Sequence, residues 1–464
     1  MCGIFGVRGA KDASSLVHRG LYSLQHRGQE SAGIVAVDEH GHATTLRRMG
    51  LVSEGFTPER LAELPGAMAI GHTRYSTSGA TALENAQPIL ARFRDGYLAL
   101  AHNGNLVNAI ELRRELEDTG SIFSSTMDSE VLVHRMARSR SAKPEERLAD
   151  ALRGVEGAYS LIVATGDTLL AARDPRGWRP LAMGTVGAAT VFASETCALD
   201  IVGATYVRDV EPGEIIAVDA SGVRSLRVGP KVPLARCVFE YVYFARPDSR
   251  IFGGGSVDRA RRALGRQLGK ECPAPGAELV FGVPDSSNAA ALGYAEETGL
   301  PLELALIRNH YVGRTFIQPS GRDDKVKIKY NPVREVLEGR SVVMIDDSIV
   351  RGTTTRGLVA LVRQAGAREV HMRVASPPVT GPCFYGIDTP SKKELIAANH
   401  NVDEIAKHIG VDSLGYLSLD GMLNAVPDGP KGFCHACFSG DYPTAPPSDT
   451  DKLRLDGGNG AHGG

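Results

Sequence analysis

Short apolar stretches that end in polar turns recur through the first half of the chain, and several alternate between apolar and polar residues. This alternation is typical of strands that keep one face in a core. Strands are predicted at residues 3–7, 31–37, 160–165, 169–173 and 214–218, and helices at 109–117 and 129–138. The pattern favours an α+β architecture of antiparallel sheets covered by helices.

The second half has a different pattern, in which single apolar runs are followed by helical ones. Residues 278–283 and 341–345 are predicted strands, and a helical pattern follows each of them. The uncharged run at 341–345 is of the kind found in parallel strands that are buried on both faces. We therefore expect an α/β domain with a parallel sheet in this half.

Glycine and proline mark the expected boundaries. Residues 228–233 interrupt every periodicity, which predicts one domain at 1–232 and a second at 233–442. Residues 443–464 are rich in proline, glycine and polar side chains, and we expect them to form a mobile tail without function. A length of 464 residues also favours two cores over one.

Charge and hydropathy exclude several classes of partner. The formal net charge is −2, which gives no indication of nucleic acid or an anionic membrane as a partner. Uncharged apolar runs stay short of the roughly 18 residues that a spanning helix needs, and no targeting peptide is evident, so we expect a cytoplasmic protein. The seven cysteines then indicate catalysis or metal binding rather than disulfides.

The first of these cysteines, Cys2, follows Met1 directly. Removal of Met1 would leave a residue that carries a thiol and a free α-amine, so nucleophile and base would lie together. The hypothesis is hydrolysis of an amide through a thioester. A free cysteine is more often a small packing residue, and Cys2 alone would not decide between the two.

Further polar turns follow apolar runs in the same domain. Asn103 and the N–H of Gly104 are candidates for an oxyanion hole, which lowers an acyl-transfer barrier by about 3–4 kcal/mol. Arg74 and Asp128 suit the carboxylate and ammonium groups of a free amino acid. Asp128 is equally suited to capping the helix that begins beside it.

These segments, in this order, resemble the class II glutamine amidotransferases over about the first 230 residues. The resemblance implies a four-layer αββα fold of the N-terminal-nucleophile type. It implies that Cys2 attacks the side-chain amide of glutamine and that Asn103 and Gly104 hold the oxyanion. It also implies a glutamine pocket shaped by Arg27, Arg74 and Asp128.

A phosphate-binding arrangement follows the strand at 341–345. Asp346 and Asp347 end the strand, and glycine and hydroxyl residues precede the next helix. The N–H groups and dipole of a helix N-terminus favour an anion, and paired carboxylates suit ribose hydroxyls and Mg²⁺. The alternative is an ordinary loop with two solvated acids. Nucleoside-triphosphate and dinucleotide motifs are both absent from the sequence.

The acidic loop resembles the signature of type I phosphoribosyltransferases, which bind phosphoribosyl pyrophosphate (PRPP). The resemblance implies a pyrophosphate loop at 284–287, a mobile lid at 308–317 with basic residues at 325–329, and one Mg²⁺ held by Ser286, Asp346 and Asp347. The implied PRPP-binding residues are Asp285, Ser286, Ser287, Asp346, Asp347, Ser348, Arg351, Gly352, Thr353 and Thr354.

Together the two halves resemble the amidophosphoribosyltransferases. That family makes 5-phosphoribosylamine at the first committed step of purine synthesis, using ammonia that glutamine hydrolysis supplies and an interior channel carries. The resemblance further implies a homotetramer inhibited by purine nucleotides.

Four cysteines match the iron-sulfur form of this family. The Cys-x-x-Cys pair Cys434 and Cys437, with Cys237 and Cys383, would hold one 4Fe-4S cluster in a structural role. Thiolates also suit zinc, so the metal remains open at this point.

Two rival interpretations remain. Another glutamine-dependent enzyme would share Cys2 but lack the acidic loop. A PRPP-binding regulatory protein would keep the second half without catalysis, which the intact Cys2, Asn103 and Asp128 disfavour.

Overall fold

The computed structural model describes residues 1–75, 80–309, 328–389 and 391–447. Most of the predicted lid and of the basic segment after it, and the predicted tail from residue 448 onward, lie outside the described residues.

Two antiparallel sheets form the first half of the chain. The seven-stranded sheet runs, in spatial order, Thr205–Asp209, Ala182–Val186, Ala189–Ala193, Gly3–Arg8, Met68–Arg74, Ser31–Val37 and Ala43–Met49. The six-stranded sheet runs Gly222–Arg227, Glu214–Asp219, Thr168–Arg173, Gly157–Thr165, Gly96–Leu106 and Ile89–Phe93.

The alternation of side chains along the strands builds the layers. Ile4 packs between the two sheets, whereas its neighbours Phe5 and Val7 face helices on the outer side. Leu98 and Leu100 face the helices that cover the other sheet. The helices of this half are Ala13–Ser23, Val52–Gly55, Pro58–Ala62, Ala109–Glu117, Glu130–Arg138, Pro144–Ala151 and Thr196–Ile201. The predicted four-layer αββα fold is confirmed.

A parallel four-stranded sheet forms the core of the second half, in the order Leu279–Gly282, Ser341–Asp346, Glu369–Val374 and Ser413–Tyr416. Val343 and Ile345 face one apolar core and Val342 and Met344 the other, so the second strand is buried on both faces as predicted. The surrounding helices are Val257–Glu271, Asn288–Thr298, Arg334–Leu337, Thr353–Gln364, Ile396–Asn399, Val402–Ile409, Leu419–Ala425 and Ala436–Ser439.

Short elements lie around the junction of the two halves. A π-helical segment, Glu240–Phe244, follows the two-residue strand Arg236–Cys237, which pairs in parallel with Phe433–Cys434. Two further strand pairs are Arg250–Ile251 with Gly255–Ser256, and Leu306–Arg308 with Tyr330–Pro332. Every strand of the two antiparallel sheets ends before residue 228, and the exact domain boundary near 232 stays a prediction.

The first residues of the predicted tail contact the rest of the chain. The N–H of Thr444 donates a hydrogen bond to the Tyr385 hydroxyl, and the two side-chain oxygens are 2.9 Å apart. The expectation that residues 443–464 form a mobile tail without function stays a prediction.

Candidate active sites and the cavity between them

Cys2 lies immediately before the central strand Gly3–Arg8, and the residue is only 7 % exposed. Its backbone N–H donates to Asn103 Oδ1 at 3.2 Å, and its Sγ lies 3.6 Å from the carbonyl oxygen of Tyr75. Asn103 belongs to the other sheet, so packing of the two sheets brings the predicted nucleophile and the predicted oxyanion residues together.

The side-chain amide nitrogen of Asn103 is a hydrogen-bond donor without a partner among the described residues. Its Nδ2 is buried and makes no hydrogen bond to any described residue, which is costly unless a ligand supplies an acceptor. Gly104 follows with φ of +156°, and a Cβ there would lie 2.0 Å from the carbonyl oxygen of Ala158. Only glycine fits at this position.

Arg74 and Asp128 are both buried in the same half of the chain. Arg74 Nη1 donates to the Ala80 carbonyl at 3.1 Å and lies 3.6 Å from the Glu30 carboxylate. Asp128 Oδ2 accepts the N–H of Leu106 at 2.8 Å, which ties it to the end of the strand that carries Asn103. The alternative role of Asp128 as a helix cap is not seen, because the helix at Glu130–Arg138 has no side-chain cap.

Arg27 is completely buried at the junction of the two halves. Its Nε donates to the Cys2 carbonyl at 3.0 Å, and its terminal nitrogens contact Glu195 and, at 2.8 and 3.1 Å, Glu240. Burial disfavours its charge, but Glu240 and Glu195 more than offset this and raise the pKa of Arg27. Arg179 Nη1 lies 3.5 Å from Glu240. The guanidinium of Arg27 is thus engaged within the protein.

The predicted phosphate site is formed where strand Ser341–Asp346 meets helix Thr353–Gln364. Gly352 at the helix start has φ of +76°, a left-handed conformation that favours glycine. Ser287 Oγ donates to Asp346 at 3.1 Å and lies 3.5 Å from Asp347. Burial raises the pKa of both carboxyl groups, and the Asp347 charge raises that of Asp346 further.

A cavity of about 460 Å³ extends from this site to the glutaminase half. His26, Arg27 and Tyr75 of the glutaminase half line it, and so do Tyr243 and Phe244 of the π-helical segment. The predicted PRPP residues that line it are Ser286, Asp346, Asp347, Ser348, Arg351, Gly352, Thr353 and Thr354. Because Tyr75 also contacts Cys2 Sγ, one residue borders both predicted sites. A larger open hollow of about 940 Å³, beside Arg8 and His40, contains none of the predicted residues.

Two predicted PRPP residues lie elsewhere. The Asp285 carboxylate pairs with Arg308 at 2.5 Å and borders a separate surface hollow. Ser287 is fully buried behind the two carboxylates and orients them rather than facing the cavity.

The four predicted cluster cysteines converge. Cys237 and Cys434 are register partners in the short parallel strand pair, and Cys383 and Cys437 pack close to them. Burial is the largest cause of the raised pKa of Cys437. Negative charge on Cys383, Cys237 and Cys434 would raise that pKa further. Cys437 also lines the cavity.

Their spacing bears on the metal. Among the described residues, no three or more His, Cys, Asp or Glu side chains are grouped closely enough to hold a single metal ion. Zinc at about 2.3 Å from each sulfur would need sulfurs roughly 3.8 Å apart. The choice between a 4Fe-4S cluster and zinc at these four cysteines therefore stays a prediction.

Sequence reasoning missed Glu195, Glu240, Arg179 and the bridging role of Arg27. Each is a charged residue with its partner far away in the sequence, and no local pattern marks them.

Both sites and both folds define a class of enzyme that joins a glutaminase to a phosphoribosyltransferase. Residues 72–200 match the family model described as glutamine amidotransferase domain. The chain is 50% identical over 456 residues to amidophosphoribosyltransferase of Bacillus subtilis strain 168, covering 97% of this chain and 95% of that protein. It is 51% identical over 448 residues to amidophosphoribosyltransferase 1, chloroplastic, of Arabidopsis thaliana, covering 96% and 79%.

The structure agrees with these similarities. The solved glutamine PRPP amidotransferase from B. subtilis, complexed with ADP and GMP, aligns with a TM-score of 0.91 at 49% identity, covering 97% of this chain and 99% of that one. The chain therefore belongs to the amidophosphoribosyltransferase family. It is a glycosyl-transferring enzyme with a glutamine amidotransferase domain, and it catalyses the first step of purine biosynthesis. No helix among the described residues is long and apolar enough to cross a membrane.

The ionic bridge at the junction generates a stability prediction. Glu240→Ala removes one of the two carboxylates that balance the charge of the buried Arg27. It should therefore lower the free energy of unfolding by about 3–5 kcal/mol. Urea unfolding followed by fluorescence of the single tryptophan, Trp178, measures it, because Trp178 stacks on Tyr385 at this junction.

Glu117→Ala is the matched control, since Glu117 pairs with Arg113 on a helix surface. It should cost about 0.5 kcal/mol or less. Equal losses for the two variants would contradict the bridging role of Glu240.

Proposed function

We propose that Cys2, after cleavage of the bond to Met1, attacks the side-chain amide carbon of glutamine. The single observation that supports this most is the unpartnered Asn103 Nδ2, a buried donor beside Cys2. Sulfur adds to the carbonyl carbon, and the oxyanion accepts from Asn103 Nδ2 and the Gly104 N–H. The C–N bond then breaks, ammonia leaves with a proton from the α-amine, and water hydrolyses the thioester to glutamate.

The surroundings of Cys2 suit an amine that acts as a base. Burial lowers the pKa of the Met1 amine to about 6, and the cationic Arg179 and Arg27 lower it as well. The α-amine of a processed Cys2 would lie close to the same two guanidinium groups, and an ordinary α-amine, with a pKa of about 8, already has a neutral fraction at pH 7. That neutral amine takes the proton of the thiol.

We assign glutamine recognition to Arg74, for the α-carboxylate, and to Asp128, for the α-ammonium. Arg27 shapes the pocket indirectly. Its bonds go to Glu195, Glu240 and the Cys2 carbonyl, so it positions the nucleophile rather than the substrate.

For PRPP, we place the 5-phosphate at the N-terminus of helix Thr353–Gln364 and the ribose hydroxyls on the acidic pair. The oxygen donors of Asp346, Asp347 and Ser286 fit Mg²⁺. A bound Mg²⁺ would stabilise the charge on the departing pyrophosphate. Ammonia forms a bond to the anomeric carbon, the bond to pyrophosphate breaks, and the amine loses one proton.

The cavity between the two sites is the proposed path for ammonia. Tyr75, Tyr243 and Phe244 form part of its lining, beside charged residues such as Arg27 and Lys329. The three aromatic side chains are uncharged at neutral pH, and neutral ammonia can pass along them.

Several further properties are proposed from the family. One 4Fe-4S cluster held by Cys237, Cys383, Cys434 and Cys437 would tie the domain junction to the C-terminal region, without redox turnover. We propose a cytoplasmic homotetramer that purine nucleotides inhibit, since the B. subtilis relative was solved with ADP and GMP.

Cys2→Ala tests the proposed nucleophile. Glutamine-dependent formation of phosphoribosylamine should fall below detection, because no thioester can form, whereas ammonia-dependent formation should stay within about twofold. Cys272→Ala, at a half-buried packing cysteine, is the control and should retain both activities. Glutamine use by Cys2→Ala would contradict the proposal.

Asp346→Asn and Asp347→Asn test the PRPP site. Each should lower phosphoribosylamine formation from either nitrogen source by about 100-fold, since both sources share the PRPP site. Asp285→Asn tests a difference between the sequence prediction, which places Asp285 in the PRPP site, and the structure, in which it pairs with Arg308 outside the cavity. Because of that position, the variant should change the rate less than about threefold. The assignment fails if Asp285→Asn is the most damaging of the three.

Anaerobic metal analysis tests the cluster. The purified protein should contain about four irons and four sulfides per chain and show broad visible absorbance that bleaches on reduction. Cys434→Ser should lose both, whereas Cys197→Ser, at a buried cysteine apart from the set, should keep them. Zinc as the only metal would contradict the cluster.

A further inference from the structure

The loop from Cys383 to Thr389 belongs to the second half of the chain but lies against the glutaminase strand. Asn105 Nδ2 donates to the Phe384 carbonyl at 2.9 Å, and Arg179 Nε donates to the Tyr385 carbonyl at 3.2 Å. Trp178 stacks on the Tyr385 ring with centroids 4.4 Å apart. These contacts attach the loop to Asn105, which follows Gly104 directly, and to Trp178 and Arg179 of the same glutaminase half.

Gly386 makes the closest approach. It has φ of +100°, and a Cβ there would lie 2.8 to 3.0 Å from the carbonyl carbon, carbonyl oxygen and Cα of Gly104. All three are backbone atoms, so no flexible side chain could move aside to admit the methyl group. Two glycines therefore pack backbone against backbone, and Gly386 limits where the peptide groups of Gly104 can go.

The loop has the internal bonds to hold that position. The Cys383 N–H donates to Thr389 Oγ1 at 2.6 Å, and the Thr389 N–H donates to the Ile387 carbonyl at 2.9 Å. The Tyr385 N–H lies 3.3 Å from Cys383 Sγ. These bonds make the loop a compact turn whose tip is Gly386.

We propose that Gly386 is a positioning residue for the glutaminase reaction, which holds the Asn103–Gly104 backbone in the orientation that stabilises the oxyanion. The proposal rests on the proposed function, in which these two residues form the oxyanion hole. It adds that the hole is completed from the other half of the chain. An oxyanion donor is effective only when fixed before the charge develops, and a displaced peptide loses most of its effect.

Gly386→Ala tests it directly. The glutamine-dependent kcat should fall about 10- to 100-fold with little change in the KM for glutamine, and ammonia-dependent synthesis should stay within about twofold. Glutamate γ-semialdehyde, which adds to Cys2 and places an oxyanion in the hole, should bind more weakly by the same factor. Glutamate, which forms no oxyanion, should bind as it does to the unchanged protein.

Gly299→Ala is the matched control. Gly299 has φ of +74° and ends helix Asn288–Thr298, but nothing lies within 4 Å of a Cβ there. It carries the same left-handed strain without the contact, so its glutamine-dependent kcat and its semialdehyde affinity should stay within about twofold of the unchanged protein.

Asn105→Ala gives a second test if Gly386→Ala does not fold. Loss of the bond to Phe384 should loosen the same contact and lower glutamine-dependent kcat about threefold to tenfold, with semialdehyde affinity lowered in parallel. Unchanged kcat in the folded Gly386→Ala variant, or equal weakening of semialdehyde and glutamate, would overturn the proposal. Glutamine use by Cys2→Ala is a separate result and would instead overturn the proposed nucleophile.

Discussion

The buried bridge from Arg27 to Glu195 and Glu240 is the interaction on which the rest of the arrangement depends. A guanidinium that is removed from water must be matched by carboxylates, and here one carboxylate comes from each half of the chain. Separation of the halves would leave buried charge without compensation. Because Arg27 also holds the Cys2 carbonyl, the proposed nucleophile is attached to the same junction.

The contact between the two halves at this junction explains why the two proposed reactions belong in one chain. The cavity reaches from Arg27 and Tyr75 to the acidic loop at Asp346, and it is the proposed path along which nitrogen released near Cys2 reaches PRPP. The loop that carries Cys383 borders the same region and packs on Gly104. The second half thus forms part of the surroundings of the glutaminase site and also carries the proposed PRPP site.

Local patterns in the sequence predicted the fold class well, because short apolar runs such as Gly3–Arg8 and the run before Asp346 are properties of adjacent residues. The juxtaposition of Asn103 with Cys2 could be expected only through the family resemblance. Arg27 contacts Glu195 and Glu240 across 168 and 213 residues, and neither separation leaves a pattern in the chain. The outward turn of Asp285 likewise depends on Arg308, a partner that exists only after folding.

The central claim is that ammonia moves inside one molecule from Cys2 to PRPP. Isotope partitioning tests it most directly, with glutamine labelled in its amide nitrogen and a large excess of unlabelled ammonia in the medium at a pH where ammonia alone reacts slowly. The account predicts that phosphoribosylamine retains nearly all of the label. Label diluted in proportion to the ammonia in solution would contradict an internal path.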